Sequence, residues 1–377
     1  MRIVLVGTSY PMRGGIAHYV ALLYRKLVER GHEVKVLSFT RQYPTLFFPG
    51  KTQQDHSKEI DSVPSEPVLD SINPISWLKT YRRIRDFGAD VVVFKYWMPF
   101  FAPSYACVAF LAKIFGGSRT LFICDNIVPH EHRPGDTLLT RVVLSIVDTF
   151  IVQSDVVLAD LLRFKPEARY ELVAHPVYES FKSDLSREEA RARLGFTVED
   201  KVALFFGYVR RYKGLNILLD AVGLLAEKEA VKLLVVGEFY ESEKPYTEQV
   251  ERLGIRQHVR VVNEYVPNED VGMYFVSADV VVLPYITATQ SGILQIAYNF
   301  DRPVIVANVG GLAESVDEGR TGYVIPPGDS KALATALGRL FRDREQVDFV
   351  GNVAAYKQRF SWDGMAEAIE RLCSHEK

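Results

Sequence analysis

Ile3–Val6 is an unbroken apolar run, followed by Gly14-Gly15 and then by a helical stretch from Ile16 to Arg30 that Gly31 closes. A strand with one wet face alternates polar and apolar residues. An unbroken run fits a strand covered on both faces, as in a parallel sheet. Strand, glycine-bearing turn, helix and strand make a βαβ unit. The signature recurs at Val34–Ser38, Val91–Lys95, Thr120–Cys124, Phe150–Gln153 and Glu171–Ala174. It restarts at Val202–Phe206, where Gly207, a charged turn and the helical stretch Gly214–Glu227 follow. Strands are then expected at Lys232–Val236, Val259–Val262, Val280–Leu283, Pro303–Val306 and Tyr323–Ile325. Two such series in 377 residues predict two doubly wound α/β domains. The linker is placed near His175-Pro176-Val177, ahead of the polar segment Ser183–Asp200. Residues 39–74 hold Pro44, Pro49, Pro64, Pro67 and Pro74, which predicts an extended loop or lid rather than regular elements.

Lys and Arg total 45 against 47 Asp and Glu, a net charge of −2, which argues against nucleic acid as a partner. Cys107, Cys124 and Cys373 are odd in number and widely spaced, so neither a disulfide framework nor a zinc site is expected, and a reducing cytosol fits. The first apolar run is too short for a signal peptide's core. Trp97–Phe115 contains Pro99, Pro103 and Lys113, and falls short of the ~20 clean apolar residues of a membrane span. A cytoplasmic protein is expected, with attachment to the inner membrane face left open.

Three segments carry chemistry. Gly14 and Gly15 lie between the first strand and helix, where bare backbone and a helix N-terminus suit an anion; a tight turn without ligand is the plainer reading. In the segment from Phe205 to Val222, Gly207 ends a strand and Arg210, Arg211 and Lys213 follow at the carboxyl edge of a predicted sheet. Cations there can neutralise a diphosphate leaving group, or simply be a solvated basic turn. In the segment from Leu283 to Asp329, the polar residues Thr287, Thr289, Gln290 and Ser291 precede a helix opened by Gly292, whose free N–H groups could hold a phosphate.

The ordered set — the double glycine, Gly207 to Gly214, and "RPVIVANVGG…EGRTGYVIPPGD" — resembles glycosyltransferase family 4 over almost the whole chain. The resemblance implies the GT-B fold: two Rossmann-like doubly wound parallel-sheet domains facing a cleft. The acceptor-side domain would be residues 1–176, with a helix at 359–377 crossing back. The nucleotide-sugar domain would be 177–358. It further implies a retaining, metal-independent hexosyltransferase. A nucleoside-diphosphate sugar of UDP or GDP type would be the donor, no cofactor or metal would be needed, and a hydroxyl of a glycan or lipid-linked glycan would be the acceptor, as in cell-surface polysaccharide biosynthesis. Lys213 matches the family's lysine on the donor diphosphate. The family's arginine position holds Tyr208, and Arg210 is the substitute. The backbone of Ser291, Gly292, Ile293 and Leu294 would hold phosphate. Tyr265 and Val266 would wall the nucleobase, and Gly15 would allow close approach to the donor.

Two departures stand out. The family's paired glutamates fall on Ala288 and Ile296, so Gln290, Ser291 and Gln295 are the candidates to share their contacts. The family's histidine near the reacting carbon falls on Asp125, in a cluster with Asn126, His130 and Glu131; His132 and His175 are read as structural. Asp125 could orient a hydroxyl. These departures keep two alternatives open: a non-catalytic sugar-nucleotide-binding partner subunit, which retention of Lys213 and Arg210 argues against, and a sugar-nucleotide epimerase, which a product assay without acceptor would reveal.

Residues 73–88 place Ile75, Leu78, Tyr81 and Ile84 at near-helical spacing with Lys79, Arg82, Arg83 and Arg85 mostly off that stripe. That reads as a crossover helix with a solvated basic face, or as contact with an anionic membrane. The aromatic run from Tyr96 to Tyr105 reads as core or as acceptor-groove lining.

Overall fold

The computed structural model describes residues 1–44, 52–58, 62–129, 133–226 and 229–374. The chain divides into two compact units. One comprises Met1–His56, Ile60–Pro176 and Phe360–Lys377; the other comprises Ser57–Glu59 and Val177–Arg359.

The first unit holds a seven-stranded sheet in the order β3-β2-β1-β4-β5-β6-β7, with every pairing parallel. Its strands are β1 (Arg2–Val6), β2 (Glu33–Arg41), β3 (Ser65–Asp70), β4 (Val91–Tyr96), β5 (Arg119–Cys124), β6 (Thr149–Val152) and β7 (Arg169–Leu172). All six residues of β4 are buried, which is why the run does not alternate. Phe94, Phe122 and Phe150 stand in register on β4, β5 and β6, and their rings lie 5.4 and 6.4 Å apart. Each such ring, fully buried, contributes roughly 1.5–3 kcal/mol.

β3 corrects one expectation, since it forms inside the proline-rich stretch. It is the edge strand, where Pro67 deprives only one side of the ladder, and the register shifts beyond the Ser38–Pro67 pair. The helices are α1 (Gly15–Glu29), α2 (Pro74–Phe87), α3 (Ala102–Gly116), α4 (Asp136–Ile146), α5 (Asp155–Phe164) and, from the end of the chain, α13 (Trp362–Cys373). α2 buries Ser76, Thr80 and Ile84, while Ile75 and Leu78 are exposed; of the apolar stripe read from spacing, Ile84 is turned inward, and Ser76 and Thr80 share the buried face with it. Tyr96, Phe101 and Tyr105 are fully buried core residues. Pro99–Gly116 is, by length and composition, long and apolar enough to cross a membrane, with half of it buried inside the fold. Pro99 and Pro103 sit at helix starts, where proline is tolerated, so they do not interrupt it. α13 packs on α1: Arg30 and His32 both reach the Glu370 carboxylate at 2.8 Å.

The second unit holds a six-stranded parallel sheet, β10-β9-β8-β11-β12-β13. Its strands are β8 (Lys201–Phe206), β9 (Val231–Val236), β10 (Val259–Val262), β11 (Val280–Leu283), β12 (Val304–Ala307) and β13 (Gly322–Ile325). Between and around them lie α6 (Arg187–Arg193), α7 (Leu215–Leu225), α8 (Lys244–Arg252), α9 (Asn268–Ser277), α10 (Gly292–Asn299), α11 (Ser330–Asp343) and α12 (Phe349–Tyr356).

In both sheets the strand order reverses beside the first strand, between β1 and β4 and between β8 and β11. Loops leaving the carboxyl ends of such a pair diverge to opposite faces and open a crevice. Gly14 and Gly15 follow β1, Gly207, Arg210 and Lys213 follow β8, and Gln290 to Gln295 follow β11, whereas Asp125 follows β5 and Tyr265 and Val266 follow β10.

Candidate active site

In the second unit, the loops after β8 and β11 meet: the Ile286 N–H donates to the Tyr212 carbonyl at 2.7 Å. Gly207 ends β8 with φ +99°, and a Cβ there would stand 3.2 Å from Lys213 Nζ and 3.3 Å from Ile293 Cδ1. The glycine thus lets the lysine and the first turn of α10 converge. Lys213 lies on a short 3-10 turn, Arg211–Lys213, and is 8% exposed. No carboxylate pairs with it among the described residues. Burial, with Arg210 as a further cause, pulls its ammonium below the ordinary lysine value. A buried unpaired cation is costly and calls for an anion. Arg210 is half-buried with its guanidinium 5.2 Å from the Tyr240 ring centre, and its charge is felt at Lys213. Arg211 is exposed.

Ser291 precedes α10 in an extended conformation and makes no side-chain cap; its hydroxyl lies 3.2 Å from the Tyr285 hydroxyl. Among the described residues the N–H groups of Gly292 and Ile293 have no acceptor. That of Leu294 turns back to the Ser291 carbonyl at 3.2 Å, so it is not available as the sequence reading had it. Both ends of the Gln290 amide are buried without a partner, as is Oε1 of Gln295, a residue 2% exposed. Unsatisfied buried amides cost roughly 1–3 kcal/mol each unless a ligand engages them. Ile296 is buried and apolar.

Three neighbouring strands, β10, β9 and β8, each deliver a tyrosine just past their carboxyl ends: Tyr265, Tyr240 and Tyr208. The Tyr208 ring lies 4.3 Å from that of Tyr240 and 6.5 Å from that of Tyr265, at 31° and 25°. Tyr265 is half-buried and Val266 buried. Tyr208 and Tyr240 escape sequence reasoning; the signal was an aromatic at like distance behind each strand. A cavity of about 450 Å³, lined by Leu215, Phe239, Tyr246, Arg256 and Asn263 among others, shares no residue with this group.

In the first unit, Gly14 caps α1 at φ +111°, a conformation only glycine adopts freely, and Gly15 opens the helix. Asp125 follows β5. Its N–H donates to the Tyr96 carbonyl at 2.9 Å, and its Oδ1 accepts from Lys95 Nζ at 2.6 Å. Asn126 donates to the Trp97 carbonyl at 3.3 Å. His130, Glu131 and His132 lie outside the described residues. His175 is buried, and burial, aided by the Lys95 charge, pushes it down to about 4, so it is neutral near pH 7. Among the described residues no group of three or more His, Cys, Asp or Glu side chains could hold a metal ion.

Two family models match the chain: "Glycosyltransferase Family 4" over residues 13–180 and "Glycosyl transferases group 1" over 200–343. A D-inositol 3-phosphate glycosyltransferase of Corynebacterium urealyticum is 30% identical over 257 residues, 64% of this chain and 60% of that protein. Its counterpart in Streptomyces griseus is 27% identical over 68% of this chain and 55% of its own length. The chain thus spans about half to three-fifths of the curated relatives it matches. Anabaena HepE in complex with UDP superposes with TM-score 0.75 at 18% identity, covering 98% of this chain and 99% of that one. Sucrose-phosphate synthase from Thermosynechococcus elongatus gives 0.75 at 19%, covering 99% and 98%.

Proposed function

The chain belongs to the family 4 glycosyltransferases and has the GT-B fold, and from that premise we propose that it is a retaining, metal-independent hexosyltransferase. It would move a sugar from a nucleoside-diphosphate sugar to a hydroxyl of a glycan or lipid-linked glycan of cell-surface type. The observation that carries this reading is Lys213, a buried cation that no carboxylate pairs with among the described residues, beside Gly207, the α10 N-terminus and Arg210. A diphosphate supplies the missing anion. The Gly292 and Ile293 N–H groups hold one phosphate, Arg210 and Lys213 the other. The Tyr208, Tyr240 and Tyr265 rings, with Val266, offer stacking surface for a base. Gln290, Ser291 and Gln295 take polar groups of the sugar or ribose, and Gly14 and Gly15 accept close approach of the donor. UDP is the first donor base to try, since Anabaena HepE was solved with UDP and with UDP-glucose.

In this reading the acceptor oxygen bonds the anomeric carbon on the face from which the diphosphate leaves. The bond to the phosphate oxygen breaks with its electron pair going to the diphosphate, and that oxygen takes the hydroxyl proton. The cations and helix N-terminus meet the charge where it develops, and Asp125 orients a hydroxyl at the reacting centre. Incubation with UDP-sugars and lipid-linked acceptors tests this. A glycosylated product of retained anomeric configuration supports it; free nucleotide with isomerised sugar and no acceptor product supports an epimerase.

A lipid-linked acceptor also fits a cytoplasmic protein on an anionic membrane face. α2, α3 and α4 carry Lys79, Arg82, Arg83, Arg85, Lys113 and Arg141 in a chain of net charge −2; Arg83, Arg85 and Lys113 pair with Glu66, Asp86 and Asp148, which leaves Lys79, Arg82 and Arg141 as the cations for which no ion pair is seen among the described residues. The same helices expose Ile75, Leu78, Phe110, Ile114, Phe115 and Leu138, a combination that suits an interface with anionic lipid.

A further inference from the structure

Lys95 is the last but one residue of β4, beside the strand-order reversal of the first sheet, and is 4% exposed. Gly7 lies against it, where a Cβ would stand 3.4 Å from Lys95 Cβ. A charged side chain inside a fully buried strand is expensive and persists when a function needs it. Its surroundings fix the ammonium from three sides. Asp125 Oδ1 accepts from it at 2.6 Å, Gln153 Oε1 accepts at 3.3 Å, and the Tyr19 ring centre lies 3.5 Å away. Gln153 is aimed in turn, since its Nε2 donates to the Tyr19 hydroxyl at 3.2 Å. Among the described residues, Asp125 is the one carboxylate paired with this cation.

The two oxygens of Asp125 are thereby made unlike. Oδ1 is tied to Lys95. Oδ2 carries no hydrogen bond among the described residues, and the side chain is 20% exposed. A carboxylate locked by one oxygen presents the other in a fixed direction, as an acceptor only.

We infer that Lys95 is a positioning residue: with Gln153 and Tyr19 behind it, it holds Asp125 so that Oδ2 accepts a hydrogen bond from a sugar hydroxyl during transfer. This rests on the reading of Asp125 given above. A purely structural ion pair would do nothing of the kind. Buried pairs can often be replaced by neutral side chains without loss of stability, and activity would then survive their joint removal.

The test is a double-mutant cycle of Lys95→Met, Asp125→Asn and both together, reading kcat and KM for transfer, UDP affinity and melting temperature. Lys213→Ala runs in parallel. The expected result is a tenfold or greater fall in kcat for Lys95→Met with UDP affinity within twofold of wild type. The double variant should fall no further than Asp125→Asn alone. Additive losses, wild-type kcat in either single variant, or recovery of activity in the double variant would each overturn the inference. Should Lys95→Met fail to fold, the double variant, which removes both charges, is compared with Asp125→Asn; equal kcat supports the role and a further tenfold loss contradicts it. Wild-type transfer in Lys213→Ala would instead strike the donor-site reading, and leave the Lys95 cycle to be judged on its own numbers.

Discussion

Lys213 Nζ lies 5.4 Å from the centre of the Tyr285 ring, and no carboxylate pairs with it among the described residues. The same hydroxyl-bearing ring approaches Ser291 at 3.2 Å, so lysine, tyrosine and the lip of α10 form one wall. Burial raises Tyr285 to about 12, which keeps it neutral beside an incoming diphosphate.

A site built for an absent charge is strained without it. Lys213→Met is expected to raise the melting temperature of the ligand-free protein, because an uncompensated buried ammonium is removed. Transfer should fall by well over tenfold in the same variant. Calorimetric melting beside a turnover assay checks both; a lowered melting temperature would show the ammonium to be already paid for within the fold.

The tyrosine group makes a separate forecast. Stacking on a base contributes roughly 1–3 kcal/mol per ring. Tyr208→Ala and Tyr265→Ala should each weaken nucleotide affinity by about fivefold to a hundredfold, with Phe at either position restoring most of it. Equal affinity across the Ala variants, measured by titration, would remove the base from this surface.

The docking of α13 on α1 should depend on pH. Glu370 is lowered from its ordinary 4.5 to about 2, first by Arg30 and also by His32. A depressed carboxylate contributes stability that is fully present above 4.5 and is lost as pH falls through about 2. Glu370→Gln should therefore be less stable than wild type at pH 6, and the gap should close toward pH 2. Urea denaturation across that range tests it; a gap independent of pH would mean that the ion pair contributes nothing.

The exposed apolar and basic residues of α2, α3 and α4 predict binding to vesicles. Co-sedimentation with phosphatidylglycerol-containing vesicles should exceed that with neutral ones, and Lys79→Glu with Arg82→Glu should abolish the difference, at roughly 1 kcal/mol per basic residue. No preference for anionic vesicles in the wild type would remove the membrane from the account.

How much of this was legible in the sequence follows from the physics of each part. Strands buried on both faces announce themselves: β4 and β8 lie within a residue of their expected limits. β3 was hidden because Pro67 argues against a strand everywhere except at a sheet edge, and edges are set by topology. Ile75 and Leu78 misled because helical spacing says which residues share a face and not whether that face is buried. The place of Lys213 and Arg210 in the loop behind β8 was readable from the end of a buried run. The neighbours of Tyr208, Tyr240 and Lys95 were not, because they come from strands distant in sequence and adjacent in the sheet.

The most direct test of the central claim is isothermal titration of wild type and Lys213→Ala with UDP, GDP, ADP, UMP and uridine. Wild type should bind one nucleoside diphosphate in preference to the others. Lys213→Ala should lose tenfold or more in affinity for that diphosphate, as expected for roughly 1.5–3 kcal/mol from a hydrogen bond to a charged group, and little for the nucleoside. Binding of no diphosphate by wild type, or equal diphosphate affinity in Lys213→Ala, would contradict the account.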